Sequence, residues 1–241
     1  MPAVPEPLRP ETRAEGYAIQ AQLENRTNEP LFGWKIAATS AQGQAHIGVD
    51  GPIAGRLLAE RASADGAELS FGANHMCVAE PEFAFRIARD LAPRKDPYQV
   101  DEILAAVETL HPAIEVPDSR YDDFATVGAA QLIADNACAH QFVLGPPAPE
   151  DWRSTDLVRH PAAISVSDKA QHQGDGSNVL GDPRVALAWL VNELSGLGIT
   201  LAAGQVVTTG TCAAPIPVGP GDTVTADFGA LGTVNLRFRD A

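Results

Sequence analysis

Near the N-terminus, Ala14, Tyr17, Ala18 and Ala21 recur at i, i+3, i+4 and i+7, the spacing of one face of an α-helix, and the stretch Asn25–Pro30 ends it. Past residue 30 the apolar positions gather into short runs separated by Gly, Pro and Asp. Segments 33–38, 77–91, 111–117, 140–145, 162–168, 205–210, 222–228 and 232–238 each predict a strand. Asp96-Pro97 has the pattern of an N-cap followed by proline at the first helical position, and predicts a helix with Val100, Ile103, Leu104 and Val107 as its buried stripe. Asp182-Pro183 predicts another, with Leu187, Leu190, Val191 and Leu194 on one face and Gly196 and Gly198 near its end. A third helix of less regular spacing is predicted over 126–137. Because strands and helices do not alternate, a doubly wound parallel sheet is a poor fit. The pattern predicts an α+β fold dominated by a curled or sandwiched sheet, with a small helical segment (residues 1–30) packed beside a main body (31–241). The 19 prolines and 21 glycines in 241 residues suit such a turn-rich body.

Composition narrows the function classes. With 45% hydrophobic and 20% charged residues the chain can build a packed core. Its 31 acidic against 17 basic residues give a net charge of -14, which repels nucleic-acid phosphate and anionic lipid alike. No apolar run approaches the ~18–20 residues needed to cross a bilayer, and the opening MPAVPEPLRPETRAEG lacks an apolar signal core. Cys77, Cys138 and Cys212 are widely spaced, odd in number and without a CxxC, so free thiols in a reducing compartment are expected, and with them a cytoplasmic enzyme.

The sharpest chemical feature is Cys77-Val-Ala-Glu-Pro-Glu-Phe-Ala-Phe-Arg-Ile87. In a strand Glu80 and Glu82 share one face, while Phe83, Phe85 and Ile87 point the other way. Two carboxylates side by side repel unless a cation or a shared proton lies between them, and hard divalent ions want oxygen ligands of this kind. Two solvated glutamates on an exposed face are the plain alternative. Glu115, flanked by Ile114 and Val116, needs a partner if buried; a three-carboxylate site with Glu80 and Glu82 would supply one, and so would an ion pair with Arg120.

These residues, with others in register, resemble the fumarylacetoacetate hydrolase superfamily, and within it the 2-keto-4-pentenoate hydratase and 4-oxalocrotonate decarboxylase branch. The matching positions are Gly33-Trp34-Lys35, Thr39-Ser40, Gly48-Val49-Asp50, Glu80-Pro81-Glu82, Ala113-Ile114-Glu115-Val116 with Ser119-Arg120, Asp135-Asn136-Ala137, Gly174-Asp175-Gly176, Leu180-Gly181-Asp182-Pro183, Thr209-Gly210 and Gly221-Asp222. The resemblance implies a mixed β-sandwich or roll over 31–241, a lid at about 39–66, a homo-oligomer (dimer or higher), and Mg²⁺ or Mn²⁺ held by Glu80, Glu82 and Glu115. It further implies small anionic 2-oxo acid substrates of aromatic-compound breakdown, a catalytic Lys35, and substrate contacts from Thr209, Gly210 and Thr211. By sequence alone, Lys35 has ordinary odds of facing water and 209–211 of being a plain strand end.

The departures bear on the reaction. His46 stands where the hydratases tend to carry a neutral residue, and Glu60 where they carry Asp. In hydrolytic members a His–Glu pair activates water for carbon–carbon cleavage, so His46 with Glu60 as orienting acid would serve that reaction; a capping or surface histidine is the plain reading. Cys138 reads as a small buried residue, not a nucleophile. His75, His111, His160 and His172 form no H-x-x-x-H pair and read as surface or turn residues; Trp34, Trp152 and Trp189 read as core or interface anchors. The glycine-rich 174–182 lacks the Gly-Lys-Ser/Thr of a phosphate loop, and no G-x-S-x-G elbow occurs. The leading expectation is a metal-dependent hydratase acting on a 2-hydroxypenta-2,4-dienoate-type acid. An acylpyruvate hydrolase acting on maleylpyruvate or fumarylpyruvate is the alternative, and a 4-oxalocrotonate-type decarboxylase the third reading.

Overall fold

The computed structural model describes residues 1–240. In chain order its elements are α1 (Arg13–Gln20), β1 (Gly33–Ala37), α2 (Ala41–Ile47), β2 (Ile53–Leu57), β3 (Ala62–Ala64), β4 (Ala67–Leu69), β5 (Val78–Ile87), α3 (Val100–Leu104), β6 (Val107–Val116), α4 (Ala129–Ala134), β7 (Gln141–Leu144), β8 (Pro161–Val166), β9 (Ala170–Asp175), α5 (Pro183–Gly196), β10 (Val206–Thr211), β11 (Ile216–Pro217), β12 (Thr223–Asp227) and β13 (Thr233–Phe238). Eight strands form one sheet in the order β2-β1-β10-β5-β6-β7-β3, with β11 pairing β5 off that path; five form a second, β4-β13-β12-β8-β9. Both sheets are mixed: β1–β10, β3–β7 and β4–β13 run parallel and the other pairs antiparallel. The sheets pack face to face through β12 and β13 against β6 and β7, with α5 laid against β10. Phe83, Phe85, Ile87, Leu110 and Ile114 fill the layer between, each 1% exposed or less. This is the β-rich α+β body expected.

The long central strands β5 and β6 are buried on both faces, so they read as continuous apolar runs in which any acidic residue stands out. The helix at 183–196 starts as its sequence predicts: Asp182 accepts from the Arg184 N–H and Pro183 occupies the first turn. Three expectations fail. The helix after Asp96-Pro97 is a five-residue turn capped at Gln99, and Val107, the last member of its supposed stripe, begins β6. The apolar run 110–116 forms a full ladder with β5, and this long-range pairing claims Val107. The helix expected at 126–137 covers only Ala129–Ala134, then gives way to a left-handed turn. In α1 the buried face is Gly16, Tyr17 and Gln20, while Ala14 and Ala18 are exposed. Gly16 lets α1 lie directly on α4, since a Cβ there would stand 2.5 Å from the Ala130 carbonyl oxygen.

The N-terminal segment has a structural task that its composition does not advertise. β2 is an edge strand, and its outer backbone groups are closed by side chains. Tyr17 Oη accepts from the Ala54 N–H (3.1 Å), and Gln20 Nε2 donates to the Ala54 carbonyl (2.8 Å) and to Ile133 O (2.9 Å). The span 39–66, expected as a lid, includes two strands. Residues 53–57 and 62–64 are strands of the larger sheet, so 39–52, carrying α2, is the part that stands outside it.

Candidate active site

β5 and β6 are antiparallel with Glu80 directly opposite Glu115 and Glu82 opposite Ala113. The two-residue period then places all three carboxylates on one face, where one oxygen from each lies within 4.8 Å of the others. Strand β10 contributes from the other side of β5. A bulge between Thr208 and Thr211 breaks its register, and Gly210 adopts φ +103 within it. The bulge turns two donors onto one acceptor: the Thr208 hydroxyl and the Gly210 N–H (2.8 Å) both bond Glu82 Oε2. Two strands from β5, Lys35 on β1 pairs with Thr208 in register and extends over the same face. It is 3% exposed, and its ammonium stands 2.9 Å from Glu115 Oε1 and donates to Ala137 O at 3.0 Å.

The ion pair with Glu115 settles the two partners left open by the sequence. Arg120 bonds Asp135 instead, together with the Ser119 hydroxyl (2.6 Å). Yet Lys35 does not satisfy the cluster. Its aligned hydrogen bond goes to Ala137, and both oxygens of the fully buried Glu115 carboxylate lack a hydrogen bond. Three carboxylates against one ammonium leave the site two charges negative when ionised, in surroundings that penalise charge. The titration behaviour reports this conflict. Burial first, then the charge of Glu115, pushes Glu80 up to about 7. Burial, Glu115 and Glu80 push Glu82 well above the ordinary carboxylate range. Burial alone would lower Lys35, but the fields of Glu115, Glu80 and Glu82 outweigh it and hold the ammonium charged. An all-oxygen donor set with orphaned buried lone pairs and two excess negative charges fits a hard divalent cation.

The site opens into a cavity of about 580 Å³. Lys35, Glu80, Glu82, Gly210 and Thr211 line its polar end, and Ile47, Ile53, Met76, Val78, Phe124 and Leu132 line its apolar walls. Lys35 is the only Lys or Arg among the lining residues.

Other candidates fall differently. Thr209 is fully buried and its hydroxyl donates to Phe83 O (3.1 Å), pointing away from the carboxylates; its neighbour Thr208, not singled out by the sequence, reaches them. Thr208 is in regular register with Lys35 and with Ala84, which shares the face of Glu80 and Glu82, so the strand period itself was the available signal. Thr211 lies along the cavity with its hydroxyl bonded to Ala213 O (2.6 Å). His46 is exposed on α2 and lines the cavity rim, its ring edge-on to Phe124 with centroids 6.0 Å apart. Glu60 does not join it. In the β1–β2 pair Ile53 and Ala37 mark the cavity end; Glu60 lies beyond Leu57 at the opposite end, accepting from the Thr27 hydroxyl (2.8 Å). The expected His46–Glu60 pair is therefore not assembled. Cys138 is buried at the cavity floor, and burial pushes its thiol up to about 12, an inert group at neutral pH. His111, expected at the surface, is buried on β6 with Nδ1 against Gly145 O (2.9 Å), and burial lowers its pKa.

Gly210→Ala tests the bulge. A Cβ there would stand 2.1 Å from Thr39 Oγ1, and its backbone conformation suits only glycine. The variant is expected to be destabilised by about 1–3 kcal/mol and to weaken divalent-metal affinity by at least about tenfold, because the bulge must shift to accept the Cβ and its N–H, which alanine keeps, is drawn off Glu82. Calorimetric titration with Mg²⁺ measures the second effect; unchanged affinity in folded variant would refute it.

A β-rich fold whose central strands raise three carboxylates and a lysine over one cavity defines a class of enzyme domain. The chain matches the fumarylacetoacetate (FAA) hydrolase C-terminal family over residues 23–239 and belongs to it. Among its relatives, the 2-keto-4-pentenoate hydratase of Burkholderia vietnamiensis is 34% identical over 228 residues, covering 93% of this chain and 85% of that one. The 4-oxalocrotonate decarboxylase of Pseudomonas putida is 30% identical over 232 residues, covering 94% and 86%. A solved structure of 4-oxalocrotonate decarboxylase from Pseudomonas putida, complexed with magnesium and adipate, aligns with a TM-score of 0.82 at 29% identity over 94% of this chain and 86% of its own.

Proposed function

We propose that the protein is a divalent-metal-dependent hydratase that adds water to a small 2-hydroxy-2,4-dienoate, giving a 4-hydroxy-2-oxo acid. The observation that carries this reading is a single cation, Lys35, beside a carboxylate trio in a cavity whose remaining walls are largely apolar. A substrate with one carboxylate and an uncharged tail matches those walls. 4-Oxalocrotonate, maleylpyruvate and fumarylpyruvate each carry a second carboxylate, for which no Lys or Arg lines the cavity. The hydrolase reading also loses its orienting acid, since Glu60 is remote from His46. The hydratase names among the relatives support the same choice.

In this reading Glu80, Glu82 and Glu115 hold the metal, Mg²⁺ or Mn²⁺. When bound, such an ion supplies a Lewis acid for a 1-carboxylate and 2-oxo oxygen pair. Lys35 provides a fixed positive charge beside the enolate oxygen, pre-oriented by Ala137 O so that little reorganisation accompanies charge development. Thr208 and the Gly210 N–H fix Glu82 in place, and Thr211 stands along the path of the substrate carboxylate. The apolar walls exclude bulk water from the diene, and His46 with Phe124 forms part of the cavity rim. The dienol proton transfers to carbon 5, water then adds at carbon 4 of the resulting enone, and carbon 3 takes up a proton. The reading includes a cytoplasmic homo-oligomer, which sedimentation would measure.

A paired panel tests it. With Mg²⁺ present, 2-hydroxypenta-2,4-dienoate is expected to give 4-hydroxy-2-oxopentanoate at least about 100-fold faster, in kcat/KM, than 4-oxalocrotonate loses carbon dioxide or acylpyruvates are cleaved, the cost of burying an unpaired carboxylate. Preferred turnover of a dicarboxylate would overturn it.

A further inference from the structure

Asn136, Ala137 and Cys138 run consecutively through the left-handed region, with φ of 59°, 50° and 61°. None is glycine, and L-residues in this conformation crowd each Cβ against backbone oxygen. Asn tolerates it; Ala and Cys have no such preference, so the turn needs ties to the rest of the molecule. Cys138 O accepts from the Asp118 N–H at 2.9 Å on one side. On the other, the Asn136 side chain grips β2 with both ends of its amide: Oδ1 accepts from the Arg56 N–H (2.7 Å) and Nδ2 donates to the Arg56 carbonyl (2.9 Å). A neighbouring strand would pair with β2 in the same way.

The turn brings the Ala137 carbonyl to the Lys35 ammonium. The lysine's root is tied to the same strand, because Lys35 pairs on β1 with Gly55, one residue before Arg56. Root and tip of Lys35 are thus both referenced to β2, and Asn136 makes the second link. The space between is closed: a Cβ on Gly55 would stand 2.3 Å from Asn136 O and 3.1 Å from Lys35 Cγ and Cδ. We propose that Asn136 is a positioning residue, whose amide clamp on β2 holds the left-handed turn that aims the Lys35 ammonium over the carboxylates. The clamp itself follows from geometry; its effect on rate rests on the hydratase reading above.

The test uses the full chain with Mg²⁺ bound. Asn136→Gly keeps a residue at ease in the left-handed region and removes the clamp, while Asn136→Asp keeps only the acceptor for the Arg56 N–H. For Asn136→Gly, kcat on 2-hydroxypenta-2,4-dienoate is expected to fall about 10- to 100-fold with KM changed less than about threefold, and for Asn136→Asp to fall less. The second readout needs no substrate. The chain's lysines are Lys35, Lys95 and Lys169, and the latter two are exposed, so ¹⁵N-lysine labelling isolates the one buried ammonium. Its protected ¹H–¹⁵N signal is expected to shift or broaden away in Asn136→Gly, yet to persist in Leu187→Ala, a core variant of α5 that lowers stability elsewhere. If Asn136→Gly does not fold, Asn136→Asp and Gly55→Ala carry the same comparison. An unchanged Lys35 signal, or kcat within about threefold of wild type, would overturn the proposal. If wild type fails to turn over the dienoate, the hydratase reading falls and the ammonium signal still decides this one.

Discussion

Lys35→Met is expected to lower turnover about 100- to 1,000-fold, the usual cost of removing a preorganised charge aimed at a developing oxyanion. The same substitution separates two roles that Lys35 combines. In metal-free protein it leaves the Glu115 carboxylate, fully buried and without hydrogen bonds, with no counter-charge, and removing one partner of a buried pair costs about 3–5 kcal/mol. Saturating Mg²⁺ supplies that counter-charge by another route. Thermal unfolding should therefore show a large loss of stability without metal and a much smaller one with it, while turnover stays low in both. Methionine approximates the aliphatic stem, so lost packing is a minor contribution. A variant that keeps its rate within about threefold would show that Lys35 only balances charge.

The second large effect is a pH dependence that reverses with metal. Burial and the charge of Glu115 raise Glu80 from its ordinary 4.5 to about 7 in the free protein, and Glu82 moves in the same direction. Between these two pH values the native state holds protons that the unfolded chain has released. Stability must then fall as pH rises through this window, with the Glu80 contribution lost by about pH 7 and Glu82 acting in the same sense. Glu80 alone accounts for on the order of 3 kcal/mol, a drop in Tm of roughly 6–12 °C for a chain of this size. Lys35, raised in the native state, contributes stability that is fully present below its unfolded pKa and so is constant across the window. With excess Mg²⁺ the ionised carboxylates are the binding form, and Tm should be flat or rise over the same range. Differential scanning fluorimetry from pH 5 to 8, with chelator or with Mg²⁺, gives both curves. A flat curve in chelator would mean that the carboxylates do not share one buried site.

Much of this site was legible in the sequence because β5 and β6 are central strands. Where both faces are apolar, a glutamate is conspicuous, and the Glu80–Glu82 spacing fixed a common face without reference to any other element. Glu115 was legible for the same reason, but its partner was not: Lys35 and Arg120 lie on different elements, and only the β1–β10–β5–β6 order brings the lysine across. Thr208 was missed because its facing depends on its register with Lys35 on β1 and Ala84 on β5, and that pairing is long-range. β2 escaped notice because Ile53-Ala-Gly-Arg-Leu57 carries Gly and Arg at positions whose partners, Asn136 and Gln20, come from distant segments. The pairing of His46 with Glu60 came from the resemblance to hydrolytic relatives, and β2, running between the two, carries Glu60 to the end away from the cavity. The helix predicted after Asp96 failed because its stripe borrowed Val107 from a strand, and short apolar runs carry no periodicity that separates the two. The tilt of the N-terminal helix was set by Gly16 meeting the Ala130 carbonyl, a close contact that a list of apolar positions does not contain.

The most direct test of the central claim is a metal titration of turnover. Protein stripped by chelator would be given 2-hydroxypenta-2,4-dienoate at increasing Mg²⁺, with the product identified and with Glu82→Ala and Glu115→Gln run alongside. The account predicts no hydration without metal, saturable appearance of 4-hydroxy-2-oxopentanoate in wild type, and loss of both metal dependence and rate in the two variants. Hydration that proceeds without metal, or that survives either substitution, would contradict it.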